Sequence, residues 1–118
     1  MPQVSSVRER YRDGGTTRLV VTITGDVSPA EQVDALAIFE QLSRDAGNGV
    51  RCARYRIGAR GKADGLPLVD GVMILEDGRV LFNSSVDRTM VGAVRKVSRR
   101  LRAQMSGASR RTAFDQTA

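Results

Sequence analysis

Residues 50–60, VRCARYRIGAR, alternate: Ala53, Tyr55, Ile57 and Ala59 fall on one side of an extended chain, and Cys52, Arg54, Arg56 and Arg60 fall on the other. Side chains of a strand point to opposite faces in turn, so the stretch predicts a half-buried strand with a basic outer face. Guanidinium groups need solvent or an anion, so the outer face cannot be core. Downstream, Gly61, Lys62, Asp64, Gly65 and Pro67 mark a loop. Leu68 to Leu75 is a mostly apolar run and predicts a central strand. Glu76-Asp77-Gly78 is a hairpin turn of the Asp-Gly type. Arg79 to Ser85, where Val80 and Phe82 alternate with Leu81 and Asn83, returns as the next strand.

Upstream, the β-branched run Leu19, Val20, Val21, Thr22, Ile23 and Thr24 predicts a first strand, stopped by Gly25-Asp26. Ser28-Pro29-Ala30-Glu31 then opens a helix: the serine oxygen accepts from the third helical amide, proline fits the first turn, and the glutamate reaches back. Ala35, Ile38, Phe39, Leu42 and Ala46 share its apolar face, and Gly47-Asn48-Gly49 supplies its C-terminal cap. Residues 1–17 sustain neither strand nor helix period and contain Pro2 and Gly14-Gly15, so a flexible N-terminal arm is expected there.

After the hairpin, Ser84, Ser85 and Asp87 offer cap oxygens for a last helix, with Asp87 favouring the positive end of its dipole. At about 100° per residue, Met90, Val94, Val97, Leu101 and Met105 form one apolar stripe. Arg88, Arg95, Arg99 and Arg102 are expected close to the opposite side, within roughly 60° of one another, flanked by Lys96 and Arg100. No acidic residue separates them, so their charges repel along the helix. From Ser106 the apolar period ends, and residues 107–118 are expected as a flexible basic tail.

The expected organisation is therefore one α+β domain, residues 18–106, between two loose ends. Its element order is β-α-β-β-β-α, giving a four-stranded, mostly antiparallel sheet with both helices packed on one face. A chain of 118 residues with 41% apolar content suits a single core. No apolar run is long enough to span a bilayer or to serve as a secretion signal, and a cytoplasmic protein is expected. The lone Cys52 cannot close an internal disulfide, as suits a reducing compartment.

Charge points to the class of partner. The net +6 is uneven: residues 1–50 hold five basic groups against seven acidic ones, and residues 51–118 hold 14 against six. Such asymmetry favours a polyanion, whose condensed counterions are released when Lys and Arg neutralise phosphates. The basic helix has no Trp, Phe or long apolar flank for insertion, which disfavours a membrane surface. Chemistry is poorly provided for. With no histidine in the chain, the commonest proton shuttle and nitrogen metal ligand are missing, and no Cys-His or Ser-His pair is possible. Asp64, Asp70 and Asp87 fit no metal loop. Gly58-Ala59-Arg60-Gly61 lacks the spacing of a phosphate loop. No catalytic residue, metal or cofactor is expected.

Two local patterns carry a family resemblance. Val21-Thr22-Ile23-Thr24-Gly25 resembles the opening strand and glycine of the ribosome hibernation family, which includes hibernation-promoting factors and sigma-54 modulation proteins. Met90-Val91-Gly92-Ala93-Val94 resembles the start of that family's final helix, and Arg100-Leu101-Arg102-Ala103-Gln104 its ending. The order of elements from Leu19 to Met105 is also similar. The chain departs from the family pattern at Val91, where an aromatic is usual, and at Arg95 and Arg99, where acidic residues interleave.

The resemblance implies a non-enzymatic factor that occupies the small ribosomal subunit near the path of mRNA and tRNA, and that holds ribosomes inactive under stress. Contacts to 16S rRNA phosphates would come from Arg54, Arg56, Arg60, Lys62, Arg88, Arg95, Lys96, Arg99, Arg100 and Arg102. Arginine suits this because its planar fork pairs with phosphate oxygens two at a time. With Tyr11, Phe39, Tyr55, Phe82 and Phe114 as the only aromatics and most expected in the core, base stacking should be minor. Two other readings stay open: a protein-interaction module, such as a homodimer along the open sheet, for an acidic partner; and a generic double-stranded RNA-binding domain, against which the first strand argues.

Overall fold

A computed structural model describes residues 4–12, 15–46 and 49–117, with side chains from 18–46 and 49–106. The elements are β1 (Val4–Arg12), β2 (Gly15–Ile23), α1 (Pro29–Asp45), β3 (Val50–Arg60), β4 (Pro67–Leu75), β5 (Val80–Val86) and α2 (Met90–Thr117). From β2 onward the order is the expected β-α-β-β-β-α. β2 and β3 run parallel across the α1 crossover, β3–β4 and β4–β5 are antiparallel, and both helices pack on one face.

The structure extends this outline at both ends. The expected N-terminal arm contains β1, which pairs antiparallel with β2 and makes the sheet five-stranded, in the order β1-β2-β3-β4-β5. β2 would otherwise present a free edge, and unpaired backbone groups are satisfied by a second strand whatever its apolar period. The expected basic tail is helical in its backbone, because α2 runs on to Thr117. Residues 103–117 contain no proline, and Ala, Gln and Arg sustain a helix that Gly107 alone does not end.

α1 begins as its sequence dictates. The Ser28 hydroxyl accepts from the Glu31 amide at 3.1 Å, and the Ser28 amide donates to Glu31 Oε1 at 2.9 Å. At the other end Ala46 closes the helix in right-handed conformation; the cap expected at Gly47 and Asn48 lies outside the described residues. The Glu76-Asp77-Gly78 hairpin forms, with the Gly78 amide donating to the Leu75 carbonyl at 2.9 Å and the Leu75 amide to Arg79 at 2.8 Å.

The core lies between sheet and helices. Phe39 of α1 stacks on Tyr55 of β3, ring centroids 3.6 Å apart and planes 7° from parallel. Met90, Ala93, Val94, Val97 and Leu101 of α2 are buried with Val69, Met73 and Leu81 from β4 and β5. α2 sits so close to β4 that a Cβ on Gly71 would lie 2.8 Å from Val97 Cγ1, 2.9 Å from Leu101 Cδ1 and 3.0 Å from Tyr55 Cδ1. Among the described residues, no helix is long and apolar enough to cross a membrane.

Two bulges in β3 alter the expected faces. The register with β4 slips between Val50 and Cys52 and again between Arg56 and Ala59, each inserting one β3 residue. Each insertion reverses the two-residue parity of the strand. The first brings Val50 into the core. The second, around Gly58 with its φ of +95°, sets Arg60 opposite Pro67 and so on the helix-bearing side. Arg60 therefore does not share a face with Arg54 and Arg56, as strict alternation had implied.

Gly71→Val should overpack a site whose neighbours are fully buried, and should lower stability by about 1–3 kcal/mol in urea unfolding. Tyr55 gives a second test. Its hydroxyl is buried with no hydrogen-bond partner among the described residues, and burial, with a smaller contribution from Cys52, pushes the phenol above its ordinary value near 10. The unfolded chain releases this proton near pH 10 while the folded chain retains it, so stability should fall as pH rises past that point. Tyr55→Phe should remove that alkaline loss while leaving stability at pH 7 unchanged or higher by up to about 1 kcal/mol, since no hydrogen bond is lost.

Candidate nucleic-acid interface

The ten basic residues singled out by sequence are divided by the fold among four places. The first is a shallow groove between α1 and α2, lined by Ile38, Gln41, Arg95, Ser98, Arg99 and Arg102. Arg95 and Arg99 are exposed and make no hydrogen bond or ion pair among the described residues. Arg102 Nη2 donates to Asp45 Oδ2 at 2.7 Å, and Gln41 Nε2 donates to the other oxygen of that carboxylate at 2.8 Å. Both ionic partners are about half exposed, so the pair contributes only about 0.2–1 kcal/mol and can yield to a competing anion.

The second place is the free edge of the sheet. Lys96 Nζ donates to the Val86 carbonyl at 2.9 Å, Arg100 Nη1 to Ser85 Oγ at 3.1 Å, and Gln104 Nε2 to the Phe82 carbonyl at 2.9 Å. These residues recur every four positions, so they form one row of α2 laid along β5. An unpaired strand edge is a template for association, and this row covers it. Lys96 and Arg100 are committed to the fold, and Gln104, which was not singled out, belongs with them.

The third is the end of the sheet where α2 begins. Arg60 Nη1 donates to the Gly65 carbonyl at 3.0 Å, tying down the loop that carries the exposed Lys62. Arg88 is exposed in the link between β5 and α2, ahead of the helix, and so does not extend the stripe of Arg95, Arg99 and Arg102. The cap of α2 is Thr89, whose hydroxyl accepts from the Gly92 amide at 2.9 Å. Ser84 and Ser85, expected as caps, lie inside β5, and Asp87 accepts from the Arg88 amide at 2.6 Å. A Thr three residues before Gly92 was a readable cap signal; the serines were nearer the previous strand.

The fourth is the open face of the sheet. Arg54 and Arg56 project there, exposed, as their alternation required. Arg56 is ion-paired to Asp70, whose other oxygen accepts from Ser84 Oγ at 2.6 Å. Arg54 has no such partner among the described residues. Of the aromatics, most of which were expected in the core, Phe39 and Tyr55 are buried, whereas Phe82 is 56% exposed on this face. Tyr11 and Phe114 lie outside the described side chains. Among the described residues, no group of three or more His, Cys, Asp or Glu is placed to hold a metal ion.

The groove and the open face lie on opposite sides of the sheet and are separate surfaces, and Lys96 and Arg100 belong to neither. Replacing Lys96 and Arg100 by Ala should therefore act on the fold: a loss of roughly 0.5–1.5 kcal/mol per hydrogen bond and faster amide exchange in β5. The salt dependence of any RNA binding should be unchanged by that pair of substitutions.

No protein-family model matches the chain, and no curated protein matches it. Among solved structures, the crystal structure of the Thermus thermophilus Protein Y N-terminal domain is similar, with a TM-score of 0.55 and 16% sequence identity over 73% of this chain and 89% of that one. At that identity the likeness speaks for architecture, and the chain has the fold of the Protein Y N-terminal domain.

Proposed function

We propose that this chain is a cytoplasmic ribosome-associated factor that binds the small subunit through 16S rRNA phosphates, near the path of mRNA and tRNA, and holds ribosomes inactive under stress. The observation that carries the reading is the α1–α2 groove, where Arg95, Arg99 and Arg102 converge with two of the three charges uncommitted. The fold shared with the Protein Y N-terminal domain and the sequence resemblance to the hibernation family support it.

Phosphate oxygens would enter the groove against guanidinium forks, with Gln41 and Ser98 as neutral hydrogen-bonding groups beside them. Arg102 would exchange Asp45 for phosphate. Such contacts read charge and shape, with little dependence on base sequence. Lys62, Arg60 and Arg88, at one end of the sheet, would add a second point of contact, so the footprint follows the helical side of the molecule. The factor would act by occupancy, and no chemical step is required of it.

The test is binding to purified small subunits across a salt series. Log affinity should fall by roughly 0.7–0.9 per log unit of salt for each phosphate contact. Arg95→Glu, Arg99→Glu and Arg102→Glu together should reduce that slope by about 2–3 and abolish both co-sedimentation and inhibition of translation in vitro. Undiminished co-sedimentation of the triple variant would overturn the groove as the site.

A further inference from the structure

The open face of the sheet has a composition that the helical groove does not explain. Among the described residues, Val80 (61% exposed), Phe82 (56% exposed) and Val33 are the large apolar side chains most open to solvent, and the first two stand side by side on this face of β5. The register aligns Phe82 with Val72 and Arg54, and Val80 with Ile74 and Cys52. Each row thus runs from an exposed apolar residue on the edge strand, across a half-buried aliphatic, toward the centre of the sheet. In the Phe82 row the centre is occupied by Arg54, an exposed cation with no partner among the described residues. At about 4.8 Å per strand, ring and cation stand about 10 Å apart at the backbone, a gap that the long arginine side chain shortens.

Charge decides what can cover such a face. The described side chains projecting there include Arg18, Arg54 and Arg56 against Asp70 alone, and Asp70 is already engaged by Arg56 and Ser84. A second copy stacked on the same face would set unpaired arginine toward unpaired arginine, and an uncharged apolar partner would leave Arg54 desolvated without compensation. A partner that offers a flat apolar surface and an anion a few ångströms away satisfies both features. An unpaired nucleotide has this chemistry, since every base has a π-face and each is linked to a phosphate. A duplex does not, because its bases are stacked inside and closed to the Phe82 ring.

We propose that the open sheet face is a second nucleic-acid surface, which binds single-stranded RNA by stacking a base on Phe82 and pairing the adjoining phosphate with Arg54. It does not rest on the ribosomal reading, because it uses the side of the sheet away from Arg95, Arg99 and Arg102. The Phe82 backbone is held for this role: its carbonyl accepts from Gln104 of α2 at 2.9 Å, which anchors the strand from behind while the ring faces solvent.

The experiment is titration of the purified chain with short labelled RNA oligomers, single-stranded and duplex, at fixed salt. Phe82→Ala should weaken single-stranded binding roughly 5- to 150-fold, the range for losing one stacked base, and leave duplex binding unchanged. Arg54→Gln should lower the salt slope for the single strand by about 0.7. Because the chain has no tryptophan, Phe82→Trp introduces a single fluorescent reporter that should retain affinity and be quenched by the bound base. An unquenched reporter at saturation, or equal affinity of wild type and Phe82→Ala, overturns the proposal. So does Phe82-dependent binding of poly-glutamate at equal strength, which would assign the face to an acidic protein, or Phe82-dependent self-association in sedimentation. The triple glutamate variant of the groove separates the two surfaces: it should keep the Phe82-dependent component, which stands whether or not ribosomes are bound.

Discussion

The missing side chain at Gly71 lets α2 settle onto β4, with Val97 and Leu101 filling the space a Cβ would take. Once α2 lies this close, its rotation about its own axis is set by burial: Met90, Val94, Val97 and Leu101 must face the sheet. The side of the helix from which every other residue projects is then set as well. Residues one position round from that stripe meet the edge strand, and those further round meet α1. Rigid packing in the interior thus determines where each charge on the surface points.

This is why the basic residues of one helix do two separate jobs. Lys96 and Arg100, with Gln104, are used on the backbone and hydroxyl groups of β5. They close an edge that five strands in an open sheet leave exposed. Arg95 and Arg99 remain uncommitted, and Arg102 is held loosely by Asp45. An ion pair this exposed is weak enough to be exchanged for phosphate, so the groove keeps its capacity for an anion.

The two sides of the sheet differ in how their polar groups are matched. On the open side Asp70 organises Arg56 and Ser84 into one row, and the next row is left with an aromatic ring and a cation. On the helical side most of the apolar surface is consumed by packing, and the groove between the helices presents mainly charge. Charge alone suits a phosphate backbone held by shape; a ring beside a cation suits a base that is free to stack.

Much of the architecture was legible because it is local. The capping box at Ser28 and Glu31, the Asp-Gly hairpin, the alternation of Ala53, Arg54, Tyr55 and Arg56, and the apolar stripe of α2 each depend on a few neighbouring residues. The strand β1 escaped because its reason to form is the unpaired edge of β2, although Asp13-Gly14 between them carries a hairpin signal. Arg60 was misassigned because a bulge reverses parity, and the isolated Gly58 was its only trace. By itself, then, the sequence determined the element order from β2 onward, the apolar faces and the excess of positive charge, since these follow from residue spacing. Only the tertiary structure decided which arginines are spent on the fold and which are free, and that Phe82 faces solvent, because both depend on what a side chain meets across a strand edge or a helix groove.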